Sequence, residues 1–313
     1  MGSVARHLVD LVAYATRRGD HDRADRATVD QLTVADADLA LPAGLELRWL
    51  GVAGFSLAFQ DTTLLIDPYV SRVSFADTLR RRPALPRRDL LDQWVPAADA
   101  VLLGHTHFDH AVDAPAIAGR DGATVYGGAS AAHLMGLHGR GELAVEVVPH
   151  RPYDIGPFTA TFVPSRHSKL LLGRSVPQSG EITCEHVGAL NPSAYRCGQT
   201  WGIHIAVDTP GGPFTLYHQG SADLIEDEIR HHGVDLFLCG VAGRQFTEDY
   251  TSRILRSLQP DRVVVSHHDD FFVPLEERQG FAFGVAVERF PAEVAAVSRD
   301  IGVLALPEPV PLS

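Results

Sequence analysis

Three imidazoles and a carboxylate fall within the six residues His105-Thr106-His107-Phe108-Asp109-His110, directly behind the apolar run Ala100-Val101-Leu102-Leu103 and a single Gly104. Imidazole nitrogen and carboxylate oxygen are ligands of zinc, manganese and iron, and a turn at a strand end can aim alternate side chains at one point. If Ala100 to Leu103 form a buried strand, the period of two sends His105 and His107 the same way. Asp109 and His110 then follow on the turn into a helix. Histidines also gather on solvated loops, but this density behind a buried strand pattern favours a metal site with two ligand sets facing neighbouring positions.

The rest of the chain reads as a globular protein: 313 residues, 45% hydrophobic and 21% charged, enough to bury one large core or two small ones. A formal charge of −12 argues against nucleic acid as a partner, because binding a phosphate backbone draws on clustered Lys and Arg to release counterions. Cys184, Cys197 and Cys239 are odd in number and lack CxxC spacing, which points to free thiols, with Cys184 and Cys197 the pair open to bridging. No stretch has the length of a membrane span. Met1 to His7 lacks the basic start and apolar core of a signal peptide, so a cytoplasmic location is expected.

The hexapeptide has the form His-x-His-x-Asp-His and resembles the signature of the metallo-β-lactamase fold superfamily. Trp49-Leu50-Gly51-Val52-Ala53-Gly54-Phe55 and Leu64-Leu65-Ile66-Asp67-Pro68 look like the opening hairpin of that fold. They are similar in particular to the branch with ascorbate-6-phosphate lactonase and N-acylphosphatidylethanolamine phospholipase D. The alternating run Phe158 to Pro164 delivers His167 in the manner of the superfamily's third histidine. His150 and His186 compete for that role without so clear a strand before them. The last ligand histidine is matched by His267, behind Arg262 to Ser266 and ahead of Asp269-Asp270-Phe271-Phe272, with His268 in the place of an aromatic.

The resemblance implies an α/β chain folded as a four-layer αββα sandwich over residues 46–313, with residues 1–45 as a helical extension. It implies one metal on His105, His107 and His167 and a second on Asp109, His110 and His267. Asp67 is expected either to orient a ligand histidine or to close a turn. The pattern breaks once: where related hydrolases carry Gly-Asp, with the Asp bridging both metals, this chain has Gly220-Ser221. A neutral hydroxyl is a weak ligand, so the expectation is one occupied position, or two metals bridged by hydroxide with Ser221 nearby, unless Asp223 or His218 substitutes.

Periodicity outlines the elements. Val4, Leu8, Leu11, Val12 and Ala15 recur at helical spacing until Gly19, and a second short helix is expected before Pro42. This extension reads as a packing or dimerisation element, the latter giving a homo-oligomer. Leu45 to Phe59 and Thr62 to Ile66 read as paired strands; Ala111 to Ala118, Asp223 to His231 and Asp249 to Leu258 read as helices. Residues 168–200 read as a functional loop bearing Lys169, Arg174 and Arg196, suited to an anionic group on a substrate.

A metal lowers the pKa of bound water to about 7 and polarises a carbonyl or phosphoryl oxygen, and Asp109 is placed to shuttle the proton. The expected activity is that of a hydrolase using metal-bound hydroxide on a small-molecule lactone, amide or phosphate ester. One or two divalent ions are expected per chain, zinc first, manganese or iron next. The alternative is a mononuclear or dinuclear iron oxygenase or oxidoreductase on the same fold.

Overall fold

The computed structural model describes residues 16–34, 39–169 and 175–312. The helical run from Val4 to Ala15 and the substrate-binding expectation for Arg174 lie outside these residues.

Helix α1 runs over Arg18–Leu32. Gly19 therefore sits inside a helix rather than ending one; a glycine weakens a helix by about 1 kcal/mol and does not forbid it. The strands Leu45–Gly51 (β1), Gly54–Phe59 (β2) and Thr62–Ile66 (β3) follow, then Phe75–Leu79 (α2), Arg88–Trp94 (α3) and Ala100–Leu102 (β4). Next come Phe108–Ala111 (α4), Ala114–Asp121 (α5), Thr124–Gly127 (β5), Ala129–Leu137 (α6) and Ala144–Glu146 (β6). The second half holds Pro152–Ile155 (β7), Phe158–Pro164 (β8), Trp201–Thr209 (β9), Gly212–Gln219 (β10) and Leu236–Gly240 (β11). It closes with Tyr250–Leu258 (α7), Arg262–Ser266 (β12), Phe290–Ala295 (α8) and Gly302–Leu304 (β13).

Strands β1 to β6 lie in chain order in one sheet and β7 to β13 in chain order in another. Each sheet starts as an antiparallel meander and continues parallel, the change falling at β3 in the first and β10 in the second. Alternation along the strands assigns the layers. Leu64, Ile66, Ala100 and Leu102 share an inter-sheet core with Phe162, Ile203, Leu236 and Val264. Leu65, Val101 and Val125 point the other way, under α3, α5 and α6 through Leu91, Ile117 and Leu134. Phe237, Val263 and Val265 likewise meet Val29, Ile254 and Val294 of α1, α7 and α8. The result is helix, sheet, sheet, helix, the four-layer αββα sandwich.

Several expected elements differ. Leu45 to Phe59 is two strands, because Gly51 and Val52 take positive φ of 92° and 51° and turn the chain at Ala53. The helix expected over Ala111 to Ala118 is instead α4 and α5, broken where the Asp113 carboxylate accepts the Val70 and Ser71 backbone N–H groups. Asp223 to His231 contributes only the single turn Glu226–Glu228. There the Asp223 carboxylate accepts the Leu224 N–H at 2.8 Å and Glu226 pairs with Arg253, side-chain contacts that compete with a regular helix. The three cysteines are free. Among the described residues no helix is long and apolar enough to cross a membrane.

Helix α1 is bound into its own chain: Val29 enters the outer core, Arg26 donates to the Gln279 carbonyl, and Thr33 pairs with Ala305. Asp25 is fully buried and accepts the Glu288 backbone N–H at 2.9 Å. Burial first, and the Glu288 carboxylate beside it second, push its carboxyl from 3.8 up to about 8. The folded chain therefore keeps a proton that the unfolded chain releases near pH 4, and stability falls as pH rises from about 4 to about 8. Asp25→Asn is expected to flatten that fall, read as Tm against pH; an unchanged slope would remove Asp25 as its source.

Candidate metal centre

Four strand ends meet at one edge of the sandwich. Asp67 follows β3, His105 follows β4, His167 follows β8 and His267 follows β12. Each strand ends in a tight connection that turns the next side chains out of the sheet. Asp67 and His267 adopt φ of 43° and 55°, a sparsely populated region for non-glycine residues that costs of order 1–3 kcal/mol each and is held by surrounding contacts. The four-residue α4 starts immediately after His107 and carries Asp109 and His110 back toward the strand ends.

The ligand-type atoms of His105, His107 and His167 lie within 4.8 Å of one another, as do those of Asp109, His110 and His267. A third group, Asp67, His105 and His110, meets the same distance. It reads as support rather than a third metal position, because Asp67 already accepts His110 Nδ1 at 2.8 Å and the Gly104 N–H at 2.7 Å. His105 Nε2 and His107 Nδ1 are 3.0 Å apart. His267 Nε2 stands 3.4 Å, and His110 Nε2 3.7 Å, from Asp109 Oδ2. Backbone crowds the centre from behind: a Cβ on Gly220 would fall 2.8 Å from Asp67 Oδ2 and 3.2 Å from His110 Cε1, so only glycine fits.

The outer nitrogens of three imidazoles are occupied. His107 Nε2 donates to the Pro177 carbonyl at 2.9 Å, His167 Nδ1 to the Ser168 carbonyl at 2.8 Å, and His110 Nδ1 to Asp67. An imidazole that donates from one nitrogen presents a bare lone pair on the other, the arrangement that metal-ligating histidines use. Burial holds His105 well below the usual imidazole range, and pushes His107 down to about 4 and His167 to about 3, so all three are neutral at neutral pH, the ligand form. Burial works against a proton on His110 too, but Asp67 and Asp109 outweigh it and raise its pKa. Burial would raise Asp109, yet His110 and His267 hold its carboxyl well below the usual range. Surroundings that favour a proton on His110 equally favour a divalent cation, and the donor set fits one.

Ser221 is buried, and its hydroxyl donates to the Arg166 carbonyl at 3.0 Å. His218 Nε2 donates to Ala53 O and lies 4.0 Å from Asp67, and Asp223 is turned to Leu224; neither joins a cluster. His150 pairs with Glu228 at 2.6 Å, and His186 is exposed. Lys169 is exposed two residues beyond His167. Arg196 is exposed next to a residue whose backbone closes the centre: Thr106 Oγ1 donates to the Arg196 carbonyl at 2.6 Å, and the Thr106 N–H to that of Cys197.

Some supporting groups carry no spacing signal in the sequence. The Pro177 carbonyl is one, since a backbone acceptor has no residue-type signature. The other is a buried pair in which Arg72 meets Asp269 at 2.7 Å while Asp269 Oδ1 accepts the Val52 N–H at 2.9 Å. The Val52 carbonyl in turn accepts the His267 N–H at 2.7 Å. His267 Nδ1 is buried with no hydrogen-bond partner among the described residues, and this backbone clamp holds the residue instead.

Two facing sheets with their helices outside, and His/Asp clusters where strands of both sheets end, define the class: a metallo-β-lactamase-fold metal centre. The chain belongs to the β-lactamase superfamily domain family, whose model matches residues 62–268, about two thirds of its length. It is similar to a UPF0173 metal-dependent hydrolase of Anaeromyxobacter sp. (strain K), 28% identical over 237 residues that cover 72% of this chain and 75% of the relative. A UPF0173 metal-dependent hydrolase of Pelotomaculum thermopropionicum is 28% identical over 266 residues, covering 83% of this chain and 96% of the relative. Among solved structures, Igni18, a metallo hydrolase from Ignicoccus hospitalis KIN4/I, aligns with a TM-score of 0.54 at 18% identity, over 86% of this chain and 97% of its own. CmlA, a diiron β-hydroxylase from Streptomyces venezuelae, aligns with a TM-score of 0.54 at 15% identity, over 87% of this chain and 54% of its own. The chain is a metal-dependent hydrolase of this superfamily.

Proposed function

We propose that His105, His107 and His167 hold one divalent ion and Asp109, His110 and His267 a second. Zinc suits these donors best, with manganese or iron as alternatives. The observation that carries this reading is the occupation of the outer nitrogens of His107, His110 and His167 by oxygen acceptors, which leaves their inner nitrogens free to converge. These residues would hold an ion whose chemistry, when bound, would be to acidify water and polarise the scissile oxygen. Asp109, ionised and between His110 and His267, takes the proton of the attacking water and passes it to the leaving group. The substrate in this reading is a small-molecule lactone, amide or phosphate ester, and residues 46–313 form the catalytic domain with residues 1–45 as an extension. Since α1 packs on its own chain, self-association through that extension is a question for sedimentation.

Metal content decides the stoichiometry. Protein purified without added metal is expected to hold two ions per chain, and His267→Ala one; a single ion unchanged in the variant would mean that the second cluster binds nothing. With the Ser221 hydroxyl given to the Arg166 carbonyl, Asp109 is the one carboxylate of the second cluster, and the first cluster has none. That two-histidine, one-carboxylate set is also the donor pattern of non-haem iron oxygenases, which favours iron as a second reading. Iron in the purified protein together with substrate-dependent oxygen uptake would move the function there. Lys169 and Arg196 are proposed to receive an anionic group of the substrate: Lys169→Met and Arg196→Met are expected to raise KM several-fold with kcat kept, and an unchanged KM would exclude them.

A further inference from the structure

We propose that the substrate of this centre carries a hydrocarbon group, and that this group lies along an aromatic wall running from the second ligand cluster to the surface. The proposal rests on the metal-centre reading above and names the chemistry of what that centre accepts. The wall begins at Phe271, whose ring meets the His267 ring edge-on at 6.0 Å. Phe271 touches Phe272 at 4.5 Å between centroids, and Phe108, set between His107 and Asp109 in the ligand motif, lies 6.1 and 6.0 Å from the two. Phe272 meets Phe75 at 5.4 Å, and there the row reaches solvent.

Phe75 is 57% exposed and Leu79, one helical turn further along α2, is 70% exposed. Spacing of four residues puts both on one face, so this short helix turns its apolar face outward, the reverse of a helix that packs on a core. Single exposed apolar side chains need no explanation. These two differ because they end a continuous row of rings that starts against a proposed metal ligand. Of the neighbouring cations, Arg72 is buried against Asp269 and Arg82 pairs with Asp77, while Arg80 and Arg81 are exposed beyond Leu79 at the outer end of the row. The rings themselves offer a ligand dispersion contacts and release of water, and polar discrimination at the reacting group is left to the metal end.

Straight-chain hydroxamic acids from acetyl to octanoyl test this directly, because the head group chelates zinc while the chain extends from it. Calorimetric titration of the zinc-loaded protein is expected to show affinity rising roughly two- to fourfold per methylene. The double variant Phe75→Ala/Leu79→Ala, altered only at exposed positions, is expected to lose most of that gain for the longer chains while keeping its metal content and its affinity for acetohydroxamate. Affinity independent of chain length in the wild type, or an undiminished gain in the variant, overturns the proposal. If no hydroxamate binds, acetyl included, the metal-centre reading itself has failed and the wall falls with it.

Discussion

Asp109→Ala is expected to lower kcat/KM by about 10²- to 10⁴-fold, the range associated with a positioned proton carrier, and to leave one bound ion where the wild type has two. Both effects come from one carboxylate. It is buried, and its position between His110 and His267 keeps it ionised despite that burial, so it is at once the charge that draws a cation to the second cluster and the base beside it. Asp109→Asn separates the two roles: a neutral amide oxygen of the same shape keeps part of the metal affinity and cannot carry a proton. Metal content near wild type with turnover still down by a hundredfold or more would assign the loss to proton transfer. Full activity in the Asn variant would remove Asp109 from that step.

Arg72→Met should destabilise the chain by about 3–5 kcal/mol, because it strips the partner from a carboxylate that cannot reach water. The side chains of Arg72 and Asp269 are 1% and 2% exposed and meet at 2.7 Å. For a chain of this size the Tm would fall by on the order of 10 °C. Burial alone would raise the Asp269 pKa, but Arg72 and His268 hold it below the usual range. Its contribution is thus present above the unfolded pKa and lost as pH falls through the folded one, so wild type and variant should converge in acid. The functional effect runs through Val52, which Asp269 holds by its N–H and which holds the His267 N–H by its carbonyl. Metal titration of Arg72→Met is expected to show weakened binding at the second cluster with the first intact, and Arg72→Lys, which restores charge without the planar fork, partial recovery. A Tm within a degree or two of wild type would show that the pair does not support the loop.

Ligand-rich positions were legible where chemistry is encoded locally. His105 to His110 follow one strand closely, and that strand reads from the continuous apolar run Ala100 to Leu103. The layers were not legible in the residues alone: Leu64 to Ile66 and Val263 to Val265 are apolar throughout, and only the folded chain shows Leu64 and Ile66 parted from Leu65, and Val264 from Val263 and Val265. Helix boundaries were read less well. Gly19 looked like a terminator and Asp223 to His231 like a helix, but tertiary contacts overrode both: α1 is stabilised by what it packs on, and Asp223 and Glu226 gave their carboxylates to Leu224 and Arg253.

The sequence by itself determined which residues can bind a metal, since side-chain chemistry does not depend on the fold; the sandwich was implied by the resemblance carried by His105 to His110 and the opening hairpin, since periodicity outlines strands and not how sheets stack. Only the tertiary structure decided which of those residues meet. His167 reaches His105 and His107, and His267 reaches Asp109 and His110, because β8, β12 and β4 end at the same edge of two packed sheets, a coincidence set by register and sheet packing. The direction of the Ser221 hydroxyl, the Pro177 carbonyl behind His107 and the Arg72–Asp269 pair behind His267 belong to the same category. Each is a contact between segments distant in the chain, and the geometry of such contacts exists only after the chain has folded.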